Sequence, residues 1–113
     1  MAYCLDDDTQ LVLSLLPAEE KRLDREEWFK PRANRGKRLY VIFEKNDGND
    51  APFTGHYQLH DPTLDQWLPR QTLRAPGRAR MLHLPLARDW HITNLTPDST
   101  LYVFLHHPAS SNR

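Results

Sequence analysis

Residues 39–43 read LYVIF and residues 101–105 read LYVFL. Both runs are short, rich in β-branched and aromatic side chains, and flanked by charged or turn-forming residues. Such runs are typical of strands that are buried on both faces. Turn-forming residues punctuate the chain between them, so the two runs predict a compact antiparallel β unit.

Composition limits the class of protein. The chain has 113 residues, enough for one domain with a real core, and we assign that domain to residues 1–107 and a disordered polar tail to residues 108–113. Fifteen basic and fifteen acidic residues cancel, so no overall field draws the molecule to nucleic acid or to a membrane. No apolar stretch approaches the roughly 20 residues that span a bilayer, and Cys4 has no partner for an internal disulfide. We therefore expect a cytoplasmic protein with no membrane partner.

Residues 7–30 carry a pattern that predicts one or two helices. Acidic residues at positions 6–8 can cap a helix start, and four apolar residues that would share one helix face follow them: Leu11, Val12, Leu15 and Leu16. Pro17 would end this helix or begin a second one, and residues 18–29 contain strong helix formers.

Residues 38–107 are predicted to form the β structure. Residues 53–59 alternate with period two, which directs Phe53, Tyr57 and Leu59 inward. Residues 66–73 predict a further strand, in which Pro69 requires an edge position or a break. The cluster at residues 46–50, NDGND, lacks the spacing and the closing glutamate of a calcium loop and predicts a turn.

Residues 94–99 predict a turn before the last strand. The stretch LTPDSTLY at residues 95–102 resembles the corner that precedes the penultimate strand of fibronectin type III domains, with Tyr102 one position further from Leu95 than is usual there. The resemblance covers these residues alone and implies a corner like that of a β-sandwich. We therefore predict an α+β domain, with amino-terminal helices packed on an antiparallel sheet of four to six strands, folded as a small β-sandwich or half-open barrel.

Charge is polarised along the chain although its sum is zero. Residues 66–88 contain five arginines and no acid, whereas residues 44–65 contain five acids and one lysine. Residues 30–38 hold five further basic residues and no acid. If residues 70–88 lie beside residues 30–38, a basic face results; if the acidic and basic segments pair as strands, their charges compensate across the sheet.

Histidine and cysteine chemistry is the weaker prediction. His56 and His60 lie about 13 Å apart on a strand, too far to share one ion. His56, His83 and His91 could converge in a small barrel as in cupins, but the His-x-His pair and glutamate of that family are absent. No nucleophile elbow and no glycine-rich phosphate loop is present. We expect no catalytic residue, no bound metal and no cofactor.

By elimination, the sequence favours binding over catalysis. We expect a small bacterial-type accessory or inhibitor protein that contacts another protein through a sheet edge or through residues enriched at interface hot spots: Trp67, Arg70, Arg74, Arg78 and Arg80. The first alternative is a nucleic-acid-binding module that uses residues 70–88 and contacts phosphate through Lys30, Arg32, Arg35, Lys37 and Arg38. The second alternative is a histidine-ligated metal enzyme, and a homodimer through a strand edge is compatible with all three.

Overall fold

The computed structural model describes residues 9–23, 38–82 and 90–106. These residues form strands and turns and no helix. The strands are β1 (Thr9–Leu15), β2 (Glu20–Arg22), β3 (Arg38–Lys45), β4 (Phe53–Asp61), β5 (Gln66–Trp67), β6 (Gln71–Ala75), β7 (Arg80–Met81), β8 (His91–Asn94) and β9 (Ser99–His106). The described part of the chain contains no helix with the length and apolar character that a membrane crossing requires.

The two apolar runs that open the sequence analysis pair with each other. Strands β3 and β9 are antiparallel neighbours over their whole length, from Arg38 opposite His106 to Lys45 opposite Ser99. They form the centre of the first sheet, whose strand order is β1-β9-β3-β7. The predicted burial on both faces is confirmed, because Val41 and Val103 lie in the core while Ile42 and Phe104 are buried on the opposite face.

The second sheet has β4 at its centre. Strand β8 lies on one edge of β4, with β2 beyond it, and β5 and β6 follow each other along the other edge. The period-two pattern predicted for β4 is confirmed, since Tyr57 and Leu59 are buried in the core and the residues between them are directed outward. Inward side chains from both sheets form one core cluster, so the sheets pack face to face as a β-sandwich.

The prediction of amino-terminal helices packed on the sheet is wrong for residues 9–23. These residues form β1, which pairs with β9, and β2, which pairs with β8. The leucines that fit one helix face also fit a period of two: Leu13 and Leu15 lie opposite Val103 and Leu101 and face the core. Partners 90 residues away in sequence decided between two patterns that the local sequence allows. Residues 24–30 of the predicted helical segment, and the predicted tail at 108–113, lie outside the described residues.

A buried asparagine joins the two sheets at one corner of the sandwich. The Asn94 side chain is fully buried, and its amide nitrogen donates to the carbonyls of Leu15 at 3.0 Å and Ser99 at 3.1 Å. Its side-chain oxygen accepts a hydrogen bond from the Thr96 amide at 2.9 Å. The Asn94 backbone bonds in turn to Ala18 and Glu19, in the turn that carries the chain from β1 to β2. One side chain therefore holds the ends of β1, β8 and β9 together.

Gly55 makes room for the largest ring of the first sheet. It is buried on β4, and a Cβ atom at this position would overlap the Phe43 ring. Phe43 in turn contacts Tyr57, with ring centroids 6.3 Å apart. The close approach of the two sheets at this point therefore requires the absence of a side chain.

Replacement of Asn94 should destabilise the fold strongly. Asn94→Ala leaves the Leu15 and Ser99 carbonyls and the Thr96 amide unpaired, and we expect a loss of about 2–4 kcal/mol in the free energy of unfolding. Urea denaturation measures this loss. Thr93→Ala, on the outward side of the same strand, is the control and should cost less than about 1 kcal/mol. Equal costs for the two variants would contradict the role of Asn94.

Gly55→Ala should destabilise the protein through overlap with Phe43. We expect a cost of about 1–3 kcal/mol from overpacking. A smaller side chain in Phe43→Leu should relieve the overlap, so the double variant should cost at least about 1 kcal/mol less than the sum of the single variants. Additive costs in urea denaturation would show that the overlap is relieved elsewhere.

Candidate binding surface

An edge strand of the second sheet is broken at a proline. Strands β5 and β6 both pair with β4, on the side away from β8, and residues 68–70 separate them. Pro69 has no N–H to donate to a strand ladder and lies within this break. The prediction that Pro69 requires an edge position or a break is confirmed in both respects. Leu68 and Gln58 still tie the break to β4, because the Leu68 amide donates to Leu59 and the Gln58 side chain donates to the Leu68 carbonyl.

Trp67 stands at one end of this edge. It lies directly opposite His60 of β4, and the two rings stack with centroids 3.8 Å apart and an interplanar angle of 14°. The side chain is nevertheless 55% exposed. The stack fixes the orientation of the indole without burying it, which is the arrangement of a preformed contact residue.

Three of the predicted contact arginines lie along the same edge or just beyond it. Arg70 is in the break, Arg74 lies opposite Thr54 of β4, and Arg78 follows the turn after β6, and all three are exposed. Trp67 and Arg74 are matched to β4 residues six positions apart, about 20 Å along the strand. Among the described residues, Arg70, Arg74 and Arg78 make no salt bridge. The acidic and basic segments therefore do pair as strands, but these three charges are not compensated by ion pairs.

Arg80 lies apart from the other arginines, at the open side of the sandwich. It belongs to β7 of the first sheet, opposite Val41, and its guanidinium donates to the Gln71 side-chain oxygen at 3.4 Å. A cleft of about 270 Å³ lies beneath this contact, lined among the described residues by Tyr57, Leu59, Leu68, Gln71, Arg80, Met81 and Leu82. The predicted contact set is thus divided between an exposed edge and the mouth of a cleft.

The second predicted basic segment is described at one residue only. Arg38 begins β3 and is exposed opposite His106, in the first sheet. Lys30, Arg32, Arg35 and Lys37 lie outside the described residues. The described residues therefore provide no shared basic face for segments 30–38 and 70–88.

Residues 46–50 form a turn, as predicted. The Asp47 side chain accepts a hydrogen bond from the Asn49 amide at 2.9 Å, and the Asn49 side chain accepts one from the Ala51 amide at 2.7 Å. Gly48 adopts a φ of 78°, a conformation that glycine allows at little cost. Side-chain oxygens that close turns account for the composition of this cluster.

Histidines of the second sheet come together in a way that the sequence did not predict. His60 and His91 lie directly opposite each other on β4 and β8, although they are 31 positions apart in the chain. His91 Nδ1 lies 2.8 Å from Oε2 of Glu20 on β2. Only the strand register, which no local pattern gives, brings these three side chains to one outer face. Within the described ranges no three histidine, cysteine, aspartate or glutamate side chains converge on a single metal position.

Comparison with known proteins leaves the surface to be judged on its own geometry. A scan of protein-family models finds none that matches this chain, and neither the curated proteins nor the solved structures contain a match.

Tyr57 should titrate late and should link stability to alkaline pH. Burial raises the pKa of its phenol from 10.0 to about 12, and the Arg80 guanidinium partly opposes this rise. Below pH 10 the phenol is neutral in both states; between pH 10 and 12 it ionises only in the unfolded chain, so the folded state loses stability, by at most about 2–3 kcal/mol. Urea denaturation at pH 9 and pH 11.5 should show a larger loss in the wild type than in Tyr57→Phe. An equal loss in both proteins would contradict the raised pKa.

Proposed function

We propose that this chain is a non-enzymatic binding module that takes an extended acidic segment of a partner protein along the edge formed by β5 and β6. The observation that carries the proposal is the exposed, stacked Trp67 at the end of an edge whose arginines have no ion-pair partner in the described residues.

Edge geometry supports an extended ligand. A strand at the edge of a sheet presents backbone N–H and C=O groups that another chain can pair with, and many peptide-recognition domains use this mode. Strand β6 offers five residues, and its outward side chains Thr72 and Arg74 are exposed beside this edge. The backbone would supply affinity, and the side chains beside it would supply specificity.

Charge supports an acidic ligand. Residues 66–80 contain four arginines and no acid, and a guanidinium binds a carboxylate through two parallel hydrogen bonds. Exposed charges on an edge strand also discourage aggregation, so arginine alone is not specific for a ligand. Trp67 separates the two explanations, because a large exposed aromatic ring gives an edge no protection from self-association.

An acidic segment fits better than a second copy or a nucleic acid. Pairing of β6 with the same strand of a second copy would bring arginines of like charge together, which costs free energy. The zero net charge of the whole chain gives no long-range attraction to a polyanion, whereas a short acidic segment needs only the local charge.

A labelled peptide of eight alternating Glu and Val residues should bind, and fluorescence anisotropy measures its affinity. We expect Trp67→Ala to weaken binding at least tenfold and Arg74→Ala severalfold. Arg38→Ala, an exposed arginine of the other sheet, is the matched control and should leave the affinity unchanged. A peptide of the same sequence with N-methyl groups at alternate residues keeps the charge but cannot complete a strand ladder, and it should bind at least tenfold more weakly.

Three results would overturn the proposal. The first is no binding of the acidic peptide at low salt. The second is equal affinity for wild type, Trp67→Ala and Arg74→Ala, which would locate the contact elsewhere. The third is preference for a mixed-sequence single-stranded DNA over the acidic peptide, with affinity that falls steeply with salt, which would favour the nucleic-acid-binding module instead.

A further inference from the structure

A row of side chains crosses four strands on the outer face of the second sheet. The register places Arg22 of β2 opposite His91 of β8, His91 opposite His60 of β4, and His60 opposite Trp67 of β5. Directly opposed residues of antiparallel strands have Cβ atoms about 4.5–5.5 Å apart and share one face. The two imidazoles are therefore held side by side by the backbone itself.

We propose that His60 and His91 bind one divalent transition-metal ion through their Nε2 atoms. Their ring centroids are 6.3 Å apart, with an interplanar angle of 57°. Two imidazoles that ligate the same ion at about 2.1 Å have centroids about 5 Å apart. Side-chain rotations that close the gap by about 1 Å bring both nitrogens to one ion and leave the strands in place.

Glu20 gives His91 the protonation pattern of a metal ligand. Its carboxylate lies 2.8 Å from His91 Nδ1, so a neutral imidazole carries its proton on Nδ1 and its lone pair on Nε2. A carboxylate behind a ligating histidine fixes the ring and raises its basicity, and its loss commonly costs 10–100-fold in metal affinity. Arg22 carries the opposite charge on the same strand, so the carboxylate also offsets a nearby cation.

Trp67 and the sheet restrict His60 in a similar way. His60 Nδ1 is enclosed and has no hydrogen-bond partner among the described residues, so the nitrogen directed away from the sheet is Nε2. The stacked indole of Trp67 limits rotation of the ring. A ligand held in this way loses less conformational entropy when it binds a metal.

The donor set indicates which ions can bind and how tightly. Imidazole suits Zn²⁺, Cu²⁺ and Ni²⁺, whereas Ca²⁺ and Mg²⁺ prefer oxygen. His56 lies on the same face of β4 but four residues from His60, about 13 Å away, and does not contribute. The described residues thus supply two nitrogen ligands and water supplies the others, for which we expect micromolar affinity and not that of a structural zinc site.

Calorimetric titration of untagged, chelator-treated protein with Zn²⁺ tests the proposal. We expect one saturable site in the micromolar range. His60→Gln and His91→Gln should each weaken binding at least tenfold, and Glu20→Gln about tenfold through the loss of orientation alone. His56→Gln, a histidine of the same strand and face outside the row, is the matched control and should bind as the wild type does.

A second measurement keeps the test decisive if a variant folds poorly. Histidine ring C–H resonances of the wild-type protein, followed by NMR during Zn²⁺ addition, should shift first at His60 and His91. The proposal fails if the wild type shows no saturable binding, if His60→Gln and His91→Gln retain its affinity, or if the first resonances to shift belong to other histidines.

Discussion

The hydrogen bonds of the Asn94 amide hold the sandwich together at the point where the chain changes sheets. The Leu15 and Ser99 carbonyls belong to the first sheet, and Asn94 itself belongs to the second. Because the amide is fully buried, water cannot replace a lost partner. The turn that follows is fastened to β4 as well, since Thr96 and Leu95 both bond to the backbone of His56. The position of β8 beside β4, and with it the meeting of His91 and His60, depends on this corner.

The two sheets differ in what they present outward. The first sheet buries Ile42 and Phe104 on its outer face, so its central strands are enclosed on both sides. The second sheet instead carries polar and titratable side chains on its outer face, and a tryptophan and arginines along its edge. Both proposed sites therefore belong to the second sheet, while the first sheet serves as the support against which it packs.

The sequence predicts those features that depend on neighbouring residues. The strands at 39–43 and 101–105 follow from unbroken apolar runs, and the broken edge follows from Pro69. The helix predicted over β1 failed because residues 11–16 fit periods of both 3.6 and 2, and pairing with β9 decided between them. The His60–His91 pair was beyond prediction for a related reason: histidines on different strands become neighbours only through a register that distant contacts fix.

Pairing of β3 with β9 has a consequence for how the chain reaches its fold. About 60 residues separate the two strands, and this pairing cannot form until both exist. At about 5–20 residues per second, a ribosome needs about 3–12 s to make the intervening chain. Throughout that interval the LYVIF run of β3 lacks its central partner, and a short apolar segment of high β-propensity is prone to associate with other chains. The strand that organises the finished core is thus the segment of the nascent polypeptide in greatest need of a chaperone.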